Sequence, residues 1–251
     1  MPSAVGPRAV WSVLVPGPNT AAESDAWTIR PTGVAFHFCP IPMPTDPSTF
    51  SAVSMDDGVA KYLRGDGVQI AAGVATSANP DHLIMWCTSN TFLGGTASST
   101  AFKNQFREMV GGRSVTMGSE AAVEALKALE TRRAAIITPY PKDLEPHIEQ
   151  FFGESGIDVV QIRSLDIDSI DNIVNLSTSH MIEELRTLSE LDTDVILQLG
   201  AALPMLRLAA EAERWLNKPV VSLTAAIMWS ALRSNGFSDQ FDGFGRLLEH
   251  Y

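Results

Sequence analysis

Cys87 ends an apolar run from His82 and is followed by Thr88, Ser89 and Asn90. Three short polar side chains, together with the backbone N–H groups of a turn, can hold a carboxylate or a developing enolate. A thiol at such a turn can have its pKa lowered by those N–H groups and by the start of the following helix, which would suit it to acid/base or nucleophilic work. Cysteine is also among the most buried residue types, so the spacing fits a structural thiol equally well. Cys39, in Phe36-His37-Phe38-Cys39, reads as structural, and His37 beside it as a core or edge histidine. Asn19 closes the turn Val15-Pro16-Gly17-Pro18-Asn19; its amide can donate to a carboxylate, or it is simply a turn residue. Tyr140, in Thr138-Pro139-Tyr140-Pro141, offers a phenol to a carboxylate or enolate oxygen, or packs as an aromatic at a loop start.

Other chemistries lack their residues. His37, His82, His147, His180 and His250 are scattered, with no Cys/His cluster at metal spacing and no Ser-His-Asp layout, so no metal site is expected. Gly94-Gly95 is a pair and not a phosphate-binding fingerprint. Neither Gly-x-Gly-x-x-Gly nor Gly-Lys-Ser/Thr follows a strand, and no cofactor is expected.

The elements that must position these side chains alternate between short apolar and longer amphipathic runs, the pattern of a parallel sheet. The spacing predicts strands at Val10–Val15, Val34–Phe38, His82–Cys87, Ala134–Thr138, Val159–Ile162, Val195–Leu199 and Pro219–Ser222. It predicts helices at Ser48–Arg64, Ser98–Met109, Ser119–Glu130, Leu144–Gly153, Ser179–Leu188, Pro204–Leu216 and Ala225–Ser234. Pro40 to Pro47, with four prolines, reads as a rigid loop. The order suggests two similar halves. Each has a strand running into a Pro-containing turn, then a later strand ending in small or polar residues: Cys87-Thr88-Ser89-Asn90 in one, Gly200-Ala201-Ala202 in the other. Ligands of open α/β sheets bind at the carboxyl ends of strands. The expected fold is therefore α/β, with two pseudo-symmetric halves, each a parallel sheet flanked by helices, and the active site in the cleft between them. The expected division is 1–114 plus 222–251 against 115–221.

The 251 residues are 45% hydrophobic and 19% charged, ordinary for a globular chain. A net charge of -11 argues against nucleic acid and anionic membranes as partners. No apolar run reaches the ~18 residues of a membrane span. Two cysteines and no export signal point to a reducing cytoplasm.

Order and spacing together resemble the aspartate/glutamate racemase superfamily, and more narrowly its maleate cis–trans isomerase and arylmalonate decarboxylase branch. Val15-Pro16-Gly17-Pro18-Asn19-Thr20 is similar to the isomerases' opening turn, and Phe36-His37 with Pro42-Met43 to their second strand. Thr138-Pro139-Tyr140 matches a turn whose Tyr contacts substrate in both groups. Leu203-Pro204 through Ala212-Glu213-Arg214, and Asp242 to Leu247, resemble later segments. The superfamily commonly places a cysteine at each of two turns. Here the first matches Cys87 and the second position is Gly200.

The resemblance implies a cofactor-independent enzyme acting on a small mono- or dicarboxylate, with a homodimer as the family tendency. It implies catalytic roles for Cys87 and Tyr140, and substrate binding by Asn19, Thr88, Ser89, Asn90, Gly200, Ala201 and Asn172. One thiol disfavours two-base racemisation but suffices for decarboxylation of a substituted malonate. The alternatives are cis–trans isomerisation with Cys87 as nucleophile, racemisation, and an inactive carboxylate-binding homologue.

Overall fold

The structure, a computed structural model, describes residues 4–43 and 66–251. The expected helix Ser48–Arg64 and the Pro44–Pro47 part of the expected loop lie outside the described residues.

Two four-stranded parallel sheets are wound identically. The first comprises β1 (Ala9–Pro16), β2 (Val34–Ile41), β3 (His82–Met85) and β4 (Val115–Met117), in the order β2-β1-β3-β4. The second comprises β5 (Arg133–Thr138), β6 (Asp158–Ser164), β7 (Val195–Gln198) and β8 (Val220–Ser222), in the order β6-β5-β7-β8. β3 and β7 thus hold equivalent places, and Cys87 and Gly200 follow them at equivalent ends. β3 and β7 are buried along their whole length, because both faces of their sheets are covered.

β2 is an edge strand, which is why it can include Pro40: the absent N–H costs no ladder bond there. That corrects the expectation of a loop beginning at Pro40. β4, only three residues long, gives no periodic signal and was not expected. Its pairing with β3, Leu83 with Val115 and Met85 with Met117, carries the first sheet past the expected division at 114. Ser222 correspondingly pairs with Gln198 in the second sheet.

Among the described residues the α-helices are α1 (Thr20–Thr28), α2 (Asp66–Ser77), α3 (Gly95–Met109), α4 (Gly118–Ala128), α5 (Glu145–Glu154), α6 (Ile170–Val174), α7 (Thr178–Ser189), α8 (Leu206–Leu216), α9 (Leu223–Ser234) and α10 (Arg246–His250). α1, α2, α6 and α10 are additions to the expected set. α1 buries only Ala21, Ala22 and Ala26, so it has no stripe of large apolar residues to mark it. Among the described residues no helix is long and apolar enough to cross a membrane.

The halves share one core. Trp11, Val13, Ile84 and Trp86 of the first pack in the same buried cluster as Ile136, Tyr140, Val195 and Leu197 of the second. The chain's end returns to the first half, where Arg8 pairs with Asp239 at 2.6 Å and Phe237 stacks on Trp11. A second clasp joins α3 to α5. The Glu154 carboxylate accepts from Thr96 N–H at 2.7 Å and from the Thr96 hydroxyl at 2.8 Å, which holds its pKa below the usual value. It is a helix cap supplied by the opposite half. Gly95 makes room for it: a Cβ there would stand 2.5 Å from Glu154 Oε2.

Candidate active site

The parallel strands of each sheet end on one side, and the turns that follow them carry most of the residues expected to do chemistry. In the first half, Trp86 N–H donates to Leu14 C=O at 2.8 Å, prolonging the β1–β3 ladder by one residue and placing Cys87 at its rim. Side chains alternate there: Trp86 faces the shared core, while Cys87, 8% exposed, closes the outer cluster containing Leu83 and Met85. Thr88 and Ser89 follow, both buried, and residues Ser89–Thr91 form a single 3-10 turn. Thr91 pins that turn, donating to Thr88 C=O from its N–H at 3.0 Å and its hydroxyl at 2.6 Å. The backbone of Asn90 lies in the same turn; its side chain lies outside the described residues.

In the second half, Leu199 N–H donates to Ile137 C=O, the counterpart of the Trp86 bond. Tyr140 follows β5, its N–H donating to the Thr138 hydroxyl at 3.3 Å. Its phenol reaches the first half: Thr88 Oγ1 and Tyr140 OH are 2.7 Å apart in a buried hydrogen bond. Burial pushes the phenol pKa well up. The Thr88 bond opposes that shift, and the Cys87 thiolate would add to it. The Tyr140 phenol is therefore neutral at ordinary pH and not a base.

Gly200 has φ +88, a left-handed conformation that L side chains rarely adopt. A Cβ there would lie 2.6 Å from Pro139 Cδ and 2.7 Å from Cγ, so the proline ring occupies the space of a second side chain. The turn is held from below by buried Gln198, whose amide donates to Leu199 C=O at 2.6 Å and Gly200 C=O at 2.9 Å. Ala201, also buried, follows.

Of the expected site residues, Cys87, Thr88, Ser89 and Tyr140 come together, with Gly200 and Ala201 on the Pro139 side. Asn19 sits at the same end of the first sheet, after β1. Its Oδ1 accepts from Ala22 N–H at 3.0 Å, so it is the N-cap of α1, the structural role that a turn Asn also allowed. Asn172 is not drawn in: it is exposed on α6, and its amide donates to Asp168 at 2.7 Å. Cys39 is structural in placement, buried within the outer cluster with burial pushing its thiol up to about 11. His82 is also internal, bonded to Ser114 and Thr116, and burial brings it down to about 4.

Gly118, at the head of α4, is a part of the site that sequence reasoning missed. A Cβ on it would stand 2.1 Å from the Thr88 methyl, so its bareness is what admits Thr88. Nothing in a single Met117-Gly118-Ser119 step announces such a contact.

The turns 17–20, 86–92, 138–141 and 199–203 themselves contain no Lys, Arg or His. Among the described residues no cluster of His, Cys, Asp and Glu could hold a metal ion.

The arylmalonate decarboxylase family profile matches residues 56–248, and the chain belongs to this family. It is 32% identical over 165 residues to the arylmalonate decarboxylase of Bordetella bronchiseptica, covering 64% of this chain and 68% of the relative. It is 27% identical over 177 residues to the maleate isomerase of Nocardia farcinica, covering 68% and 70%. Among solved structures, it is similar to a cysteine-to-serine mutant of the Nocardia farcinica maleate cis–trans isomerase with a covalently bound succinylcysteine intermediate. That match has a TM-score of 0.83 at 24% identity, over 96% of this chain and 98% of the other. A liganded arylmalonate decarboxylase mutant, with one glycine changed to cysteine and one cysteine to serine, gives a TM-score of 0.78 at 23% identity, over 96% and 99%. The expected superfamily branch and fold are thus borne out. The protein is an enzyme of the lyase or isomerase kind represented by these relatives.

Proposed function

We propose that the protein decarboxylates a substituted malonate, using Cys87 as the single proton donor. The observation that carries this reading is the hydroxyl bridge between Thr88 and Tyr140, beside one thiol and opposite a glycine whose space Pro139 fills. The bond from the α-carbon to one carboxylate breaks and CO2 departs. The electron pair passes into the remaining carboxylate, giving an enediolate. Thr88, Ser89, Tyr140 and the turn N–H groups stabilise its oxygens, as preorganised donors do where charge develops. The Cys87 S–H protonates the carbon, and solvent restores the thiol. Because a donor stands on one side only, a malonate with two different α-substituents gives a product of a single handedness. It is opposite to that of a relative whose cysteine lies at the Gly200 position.

A second reading has its own support. The Nocardia farcinica isomerase structure holds a succinylcysteine intermediate, so in that protein a cysteine bonds to a four-carbon dicarboxylate. Here a Cys87 thiolate would add to the double bond of maleate, allow rotation and leave. Incubation with phenylmalonate and with maleate, following CO2 and fumarate, separates the two. The proposal expects CO2 from phenylmalonate and little fumarate; fumarate alone would install the isomerase reading, and neither product would refute both.

A further inference from the structure

We infer that Gly118 is a positioning residue for the reaction, acting through Thr88; this rests on the proposed function for its kinetic readout. The Thr88 methyl lies where a Gly118 side chain would begin, 2.1 Å from an ideal Cβ. Methyl and hydroxyl share one carbon, so Thr88 cannot turn its methyl away without swinging Oγ1 off Tyr140. Backbone movement is no escape, because Thr91 fastens the Thr88 carbonyl with two bonds. The Ile227 side chain of α9 also stands 3.1 Å from the same Cβ position, so an added methyl would crowd two neighbours. The bare α-carbon at the head of α4 therefore selects the Thr88 rotamer that joins the two halves' hydroxyls. Gly118 does not have a positive φ, so alanine suits its backbone, and as a helix residue alanine should if anything stabilise it.

The test uses four proteins: wild type, G118A, T88S, and G118A with T88S. Serine keeps the hydroxyl and lacks the methyl, so it removes the collision. Each is assayed on whichever of phenylmalonate or maleate the wild type converts, and the separation of the residue-88 hydroxyl from Tyr140 OH is read from a crystal structure of each. G118A should lower kcat on the order of 10–100-fold, the scale of a displaced catalytic group. It should also lengthen that separation beyond hydrogen-bond reach. In the T88S background the same change should alter kcat less than about twofold and leave the separation where T88S sets it. Wild-type behaviour of G118A, or an equal loss in both backgrounds, overturns the inference. Should G118A fail to fold, recovery of folding by T88S supports it and failure to recover overturns it. If the wild type converts neither compound, the functional proposal fails while the hydroxyl separation in the four structures still decides the role of Gly118.

Discussion

Thr88 and Tyr140 share a hydrogen bond of 2.7 Å that crosses from one sheet's turns to the other's. Each is the other's buried partner, so removing either does two things. Y140F deletes a donor from the proposed oxyanion site, a change worth roughly 10²–10³ in kcat. It also strands the Thr88 hydroxyl, costing about 1–3 kcal/mol of stability. Steady-state kinetics and urea unfolding should show both losses. Adding Thr88→Val to Y140F should cost far less than its effect alone, because the bond is already gone. Additive losses would show that the two hydroxyls act separately.

Cys87→Ala should remove turnover while leaving the fold in place, since the side chain is small and lies at the rim of its cluster. The proton donor contributes roughly 10²–10⁴-fold. Cys87→Ser should do little better, a hydroxyl being a far weaker acid than a thiol. The check is product formation alongside an unchanged circular dichroism spectrum, and retained turnover in C87A would remove Cys87 from the mechanism.

Gly200→Cys should not restore a second acid. The backbone conformation costs an L residue about 1–2 kcal/mol. The collision with Pro139 adds overpacking strain of about 1–3 kcal/mol. Urea unfolding should therefore show about 2–5 kcal/mol lost, and a chiral assay on 2-methyl-2-phenylmalonate, whose product keeps a stereocentre, should show no rise in the minor enantiomer. A stable, racemising variant would mean that the Pro139 ring yields easily.

Asp25 on α1 governs part of the pH dependence of stability. Burial raises its carboxyl from 3.8 to about 6, against the opposing pull of Leu206 N–H and the Arg207 charge at the start of α8. Its Oδ2 is buried without a partner. A raised carboxyl pKa means that the folded state holds its proton longer than the unfolded state. Stability is thus full below pH 3.8 and declines as pH rises through 6. Asp25→Asn keeps an acceptor for Leu206 and discards the charge. It should stabilise the protein by about 3 kcal/mol at about pH 8 and hardly at all near about pH 3.5, read from urea midpoints at both. Equal effects at the two pH values would exclude titration of Asp25 as the cause.

The elements legible in the sequence were those whose burial writes itself in composition. The Val/Ile runs of β1, β5 and β7 read as covered strands because they are covered on both faces. The turn polarity after β3 placed Cys87, Thr88 and Ser89, because small polar residues closing an apolar run mark the point where a buried strand gives way to a turn. α1 was hidden because its buried face is alanine, and β4 because three residues make no period. Within the site, the Pro139–Gly200 and Gly118–Thr88 contacts were invisible for one reason: a glycine shows in sequence that a side chain is missing, not what fills its place. Asn172 shows the converse, a residue of suitable type whose neighbour Asp168 engages it at the surface.

The Glu154 clasp has a consequence for how substrate enters. That carboxylate belongs to one half and quiets the first-turn donor of a helix in the other. Gaping the halves apart as two rigid shells would uncap α3 and sever the Thr88–Tyr140 bridge in the same stroke. Passage in and out through such an opening would therefore cost both contacts at once.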